Sequence, residues 1–146
     1  MSVAAYWMPI ALRELGVMET PGPGSTSRIV SYHAACTLHA TDDAVPWCSA
    51  FTGWVLAQAG LVPTHNAMAR SWTHWGRAMD LLNPYGAITV LARPDGGSGS
   101  GHVGFCLDAD GPDLWLLGGN QHDSVSIARF PVSRMIACRW PEELSV

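Results

Sequence analysis

The apolar pattern of this chain changes character between its two halves, and that change restricts the fold more than any single motif does. In the first half apolar residues recur at helical spacing. Met8, Ala11, Leu12 and Leu15 form an i, i+3, i+4, i+7 stripe in a helix predicted over 9–16, with Pro9 at its first position and Gly16 at its end. Further helices are predicted over 28–35, over 48–59 where Gly60 stops the run, and over 67–79 where Trp72, Trp75 and Met79 stack at helical spacing. In the second half, residues 87–92, 102–107, 114–117, 125–130 and 135–140 are short apolar stretches separated by Gly, Pro and Asp. They predict a five-stranded, mainly antiparallel meander, with residues 95–101 as a flexible hairpin loop. Helices first and strands afterwards is an α+β layout with the helices packed on one sheet face.

The 146 residues and 15.6 kDa fit one domain spanning 1–146, and 48% hydrophobic against 14% charged residues is a globular balance. A net charge of −4 without a cluster of cations argues against nucleic acid as a partner, because that affinity rests on a basic patch. No apolar run approaches the roughly 18 residues of a membrane span. The first residues lack a basic stretch and meet Pro9 early, so the expectation is synthesis in the cytoplasm without a signal peptide, any export needing another route. Cys36, Cys48, Cys106 and Cys138 are widely spaced, with no CxxC pair, and are expected as free thiols. The expected state is a monomer.

Three short runs carry the chemistry: VPWCSAF at 45–51, GHVGF at 101–105 and GGNQ at 118–121. They offer a cysteine at a helix start, a histidine opening a strand and an amide ending the next strand. A thiol, a base and an orienting group are the parts of a cysteine hydrolase. The reactive form is the thiolate, and a helix N-terminus lowers the thiol pKa through its unpaired N–H groups and dipole. Cys48 has that setting, and His102 is the candidate base. A free cysteine in a helix is also a common small core residue. Alternation puts Val103, Phe105 and Leu107 on one face and His102, Gly104 and Cys106 on the other, where small neighbours would let the Cys48 helix come close. Cys106 and Cys138 look like core. Asn120 is the candidate orienter of His102 across a hairpin. Gln121, His122 and Asp123 are its rivals, strand register decides among them, and plain turn chemistry is the simpler account of the run.

Taken together, these runs resemble the papain-like NlpC-type and CHAP superfamily of cysteine peptidases and amidases. The series Glu19, PWCSAF at 46–51, ARSW at 69–72, GHVG at 101–104 and GGNQ at 118–121 resembles its small phage-associated members, over roughly residues 14–140. The resemblance implies a papain-like α+β fold and a peptidoglycan hydrolase cutting an amide bond, with Cys48 as nucleophile, His102 as base and Asn120 as orienter. No cofactor and no metal are implied. Trp47 stands where many members carry a glutamine that helps hold the oxyanion, and Gly86-Ala87 stands where relatives have Gly-Asp. One catalytic module suits a thin cell wall. The expected setting is therefore a phage or prophage endolysin reaching the periplasmic wall after holin-type release. The alternatives are a secreted antibacterial effector of the same chemistry and a catalytically silent wall-binding protein.

Trp47, Trp72 and Gln121 are candidate substrate contacts, the two tryptophans as a groove for sugar or peptide. Trp54 and Trp115 are expected in the core. His33, Cys36 and His39 have a spacing that could nominate a metal, but no fourth ligand accompanies them, and solvated or capping histidines are the simpler account. Glu19 is a candidate for ordering the loop before the central helix.

Overall fold

The computed structural model describes residues 4–21, 25–34, 36, 47–93 and 101–142. Three helices precede the sheet: α1 (Met8–Arg13), α2 (Ser27–His33) and α3 (Cys48–Gln58). A 3-10 turn, Ala69–Trp72, leads into β1 (Arg77–Ala78), β2 (Ile88–Ala92), β3 (Gly101–Asp110), β4 (Asp113–Gln121), β5 (Ser124–Pro131) and β6 (Met135–Trp140). The α+β layout is as the sequence pattern predicts. The predicted hairpin loop falls largely on 95–100, outside the described residues, as do Ala35 and Pro46.

The sheet has six strands in the order β1-β6-β2-β3-β4-β5, every neighbouring pair antiparallel. Strands β2 to β5 form the predicted meander, but β6 does not continue it beyond β5. It returns to the far edge of β2, pairing Ile88 with Arg139 and Val90 with Ala137. Burial explains the return. Ile88, Thr89, Val90 and Leu91 are all buried, so β2 as an edge strand would bury a row of unpaired backbone groups. The edge falls instead to β5, whose outward side chains are exposed.

The predicted helix over 67–79 shrinks to one 3-10 turn, because residues 77–78 pair with β6. Arg139 also donates from Nε to the Trp75 carbonyl at 2.7 Å and from Nη2 to the Gly76 carbonyl at 3.0 Å, taking acceptors a longer helix would use. The Trp72–Trp75 contact survives, with ring centroids 5.3 Å apart, since i and i+3 also lie together in a 3-10 turn. Trp115 is not core: it stands on the outer side of β4 with the Arg129 guanidinium 5.9 Å above its ring.

Helix α1 is rotated from its predicted face. Met8 and Ala11 are buried, but Leu12 and Leu15 are 38% and 41% exposed, and Glu14 is the residue turned inward at 7%. Glu14 is tolerated there because it accepts a 2.7 Å hydrogen bond from the Tyr32 hydroxyl and sits 3.2 Å from Arg28 Nε. Burial, reinforced by that carboxylate, holds the Tyr32 hydroxyl well above its usual pKa, so it stays protonated as a donor. Tyr32 in turn packs its ring on Phe51, Trp54 and Trp47, joining α2 to α3. We expect Tyr32→Phe to lower the stability by about 2 kcal/mol, since it leaves a buried carboxylate short of a donor. A fall in the urea midpoint at unchanged slope would show it, and an unchanged midpoint would refute this account of Glu14.

Helix α3 is apolar nearly all round and lies against β3 and β4, with the Phe51 and Phe105 rings meeting edge to face at 6.2 Å. Among the described residues no helix is long and apolar enough to cross a membrane.

Candidate active site

Cys48 is the first residue of α3, so its own N–H and those of the next residues lie beyond the reach of intrahelical acceptors. The preceding Trp47 fixes the start of the helix. Its indole is fully buried and its N–H donates to Glu19 Oε1 at 2.7 Å. Glu19 is itself tied to the β4–β5 turn, its backbone N–H donating to the Asp123 carbonyl at 2.9 Å beside a bridge between Met18 and Ser124. A sheet turn therefore positions Glu19, Glu19 holds Trp47, and Trp47 sets Cys48. This is the ordering role considered for Glu19, made through a tryptophan.

His102 lies near the start of β3, where that strand is laddered to β2 through His102–Leu91 and Val103–Val90. The ladder from β3 to β4 begins only at Phe105–Leu117. Ahead of that pair the β4 side of β3 is open, and the N-terminus of α3 occupies the opening. The Cys48 sulfur accepts from the backbone N–H groups of Val103 and Ser49 and is hydrogen-bonded to the His102 ring. It was not Gly104 that made room for this. A Cβ there would meet the β4 backbone, whereas one on Gly119 would stand 2.7 Å from Phe51 Cβ and 2.8 Å from the Trp47 ring. The small residues that admit α3 are on β4.

The other side of the imidazole is held by Gln121, with His102 Nε2 and Gln121 Oε1 2.8 Å apart. The roles of the atoms follow from the glutamine. Gln121 Nε2 donates to the Ser126 carbonyl at 2.8 Å and to the Leu116 carbonyl at 3.2 Å, which commits both amide hydrogens. The amide oxygen is left to face the ring, so His102 Nε2 carries a proton and donates. Nδ1 is then the nitrogen available to Cys48. The ring also lies tilted over Phe130 at 5.3 Å.

Burial pushes the Cys48 thiol up. The hydrogen bond and charge of His102, helped by the Val103 and Ser49 N–H groups, outweigh it and hold the thiol below its ordinary value. Burial likewise pushes His102 down, yet the Cys48 bond and charge, then Gln121, raise it above its ordinary value against a smaller opposing effect of Arg134. Both shifts favour a thiolate–imidazolium pair. The remaining thiols go the other way. Burial raises Cys36, and pushes Cys106 up to about 12 and Cys138 up to about 11. The expected core role of Cys106 and Cys138 agrees with this.

The residue bonded to the His102 ring is not the one the sequence favoured. Extending the Phe105–Leu117 pairing puts Asn120 opposite His102, but β4 carries a bulge there. Three steps from Gly118 to Gln121 face two from Ser126 to Ser124 on β5. Asn120 absorbs the extra residue at φ +60°, a conformation asparagine tolerates, and the shifted phase delivers Gln121 to the imidazole. Asn120 lies on the wall of the neighbouring cavity instead. Gln121, expected as a substrate contact, is 4% exposed and has its amide taken up by His102 and two strand carbonyls, though it also borders that cavity. Trp47 and Trp72 are fully buried and form no groove. Trp72 donates to Ser49 Oγ at 2.8 Å, bracing the first turn of α3. Among the described residues no three or more His, Cys, Asp and Glu side chains gather as a metal site. His33 and Cys36 are buried, and His39 lies outside the described residues.

A cavity of about 420 Å³ opens beside His102, walled in part by Arg93, Arg134, Asn120 and Phe130. The two arginines were not singled out in the sequence, where they are separate cations with no motif around them. No family model matches this chain, and no curated protein matches it.

Proposed function

We propose that this protein is a cysteine hydrolase of papain-like fold that cleaves an amide bond of peptidoglycan, with Cys48 as nucleophile, His102 as acid and base, and Gln121 as the group that orients the imidazole. The observation that carries it is the line Cys48–His102–Gln121, in which a helix-terminal thiol with a lowered pKa meets an imidazole whose tautomer is fixed by a glutamine with no freedom to turn round. A structural cysteine needs none of these, and Cys106 and Cys138 have none. The choice of peptidoglycan rests on the likeness of the runs around residues 19, 48, 72, 102 and 120 to small phage-associated NlpC and CHAP enzymes. A phage or prophage lysis enzyme is the proposed setting, and a secreted antibacterial effector would use the same steps.

The Cys48 thiolate adds to the amide carbonyl carbon, and the negative oxygen so formed is met by the Cys48 backbone N–H at the positive end of α3. Trp47 takes no part in this, because its only N–H side-chain donor is committed to Glu19. The C–N bond breaks as the amine leaves with the proton from His102 Nδ1, giving a thioester. Water then attacks the thioester while His102 takes one of its protons, releasing the acid and restoring the thiol–imidazole pair.

Digestion of purified Gram-negative peptidoglycan, with mass spectrometry of the soluble products, tests the proposal. Wild type is expected to release fragments whose masses name the bond, and Cys48→Ala none. Equal release by both would overturn Cys48 as nucleophile. Binding by both with release by neither would make the protein a wall-binding one.

A further inference from the structure

We infer that the cavity beside His102 is a subsite for a carboxylate of the substrate, bound by Arg93 and Arg134. This deepens the peptide-hydrolase proposal and rests on it for the identity of the ligand. The chain carries a net charge of −4, yet among the described residues no aspartate or glutamate lines this cavity, while Arg93, Arg129 and Arg134 do. Arg134 is held like a binding group. Its Nε donates to the Ala92 carbonyl at 2.8 Å, and its guanidinium lies 5.3 Å from the centre of the Phe130 ring. That same ring supports His102 at 5.3 Å, so one aromatic side chain fixes both the base and the cation. Arg93 follows directly on Ala92, whose carbonyl anchors Arg134, so the two guanidinium groups belong to one corner of the sheet.

Among the described residues neither Arg93 nor Arg134 has a carboxylate partner. Arg129, also in the wall, is occupied by Asp113 at 4.0 Å and by the Trp115 ring. Two guanidinium groups with no carboxylate partner among the described residues, around a recess of this size, suit a planar anion accepting several N–H bonds. Stem peptides of peptidoglycan carry free carboxylates on side chains and at their ends, close to the amides that link them. A carboxylate in this subsite would place such an amide toward Cys48, and the cationic wall would select charged over amidated peptides.

The test compares a synthetic stem tetrapeptide bearing its free carboxylates with the same peptide in which each carboxylate is converted in turn to a carboxamide. For wild type we expect kcat/KM to fall at least about tenfold on amidating one particular carboxylate. Arg93→Gln and Arg134→Gln should each shrink that ratio, and the double variant should bring it near one. A wild-type ratio near one for every amidated peptide would overturn the subsite, as would variants that lose activity while keeping the ratio. Calorimetry of the Cys48→Ala protein with the same peptides separates this from the hydrolase proposal. Tighter binding of the free carboxylate form, lost in the arginine variants, would uphold the subsite even if wild type cleaved nothing. Equal binding of both forms, or none of either, would reject it.

Discussion

His102→Ala is expected to cut the rate at which iodoacetamide labels Cys48 at pH 6 to 7 by at least about tenfold, and to cut hydrolysis by about a thousandfold or more. Below the free-thiol pKa of about 8.5, an isolated cysteine is mostly protonated and unreactive. Cys48 escapes that because His102 outweighs the effect of its burial. With the ring removed, burial remains and the labelling profile moves to higher pH. The signs for hydrolysis follow from the two shifts. As pH falls through the lowered value of the Cys48 thiol, the nucleophile is protonated and activity is lost. As pH rises through the raised value of His102, the proton needed by the leaving amine is lost and activity falls again. The two groups titrate as a coupled pair, so the bell belongs to the pair and should be absent in the variant. Mass spectrometry of the labelled protein makes the result specific, since burial raises the other three thiols and leaves them unreactive in this range. Matching labelling profiles for wild type and variant would mean that His102 does not activate Cys48.

How much of this was legible in the sequence depended on whether a feature is set locally. Strands β2 to β6 were visible because each is a short apolar run bounded by turn residues, and the end of α3 because Gly60 stops its apolar run. The destination of β6 was not, because a long-range pairing is decided by which strand would otherwise bury an unpaired edge. Helix α1 was read on its leucines, while its true inner face contains Glu14, whose burial depends on Tyr32 and Arg28 from another helix. Residues 67–79 have helical spacing, and pairing with β6 overrides it. At the candidate site, the meeting of thiol and imidazole could be expected because their types and places are local signals. The amide that meets the imidazole is Gln121, one residue beyond Asn120, because a single-residue bulge reverses the alternation on which that choice rested. A run of left-handed residues at Asn120, His122 and Asp123 is where the irregularity lies, and Asn and Asp are the types that permit it. The cavity arginines gave no signal at all, being brought together by β2 and the turn before β6.

Gly118→Ala should cost about a hundredfold in hydrolysis and slow Cys48 labelling, although Gly118 touches no substrate and carries no side chain. A Cβ at this position would collide with Gln121 Oε1, reach Gln121 Cδ at 3.0 Å and stand 3.3 Å from His102 Nε2. It would occupy the hydrogen bond that fixes the imidazole. Gln121 has little room to yield, since its nitrogen is bound to two strand carbonyls on either side of it. The methyl group therefore drives the amide oxygen off the ring, and Nε2 loses the acceptor that keeps Nδ1 directed at Cys48. A general loss of stability would also lower activity, with overpacking of this kind costing about 1–3 kcal/mol. The combination with Gln121→Ala separates the two causes. If Gly118→Ala acts through the Gln121–His102 bond, then adding it to Gln121→Ala changes the rate little, because the bond is already gone. Gly119→Ala makes the contrast. Its methyl group would press on Phe51 and the Trp47 ring, lifting α3 from the sheet, and its effect should add to that of Gln121→Ala. Additive losses for Gly118→Ala as well would mean that Gln121 does not orient His102, and that the small residues of β4 serve only the approach of α3.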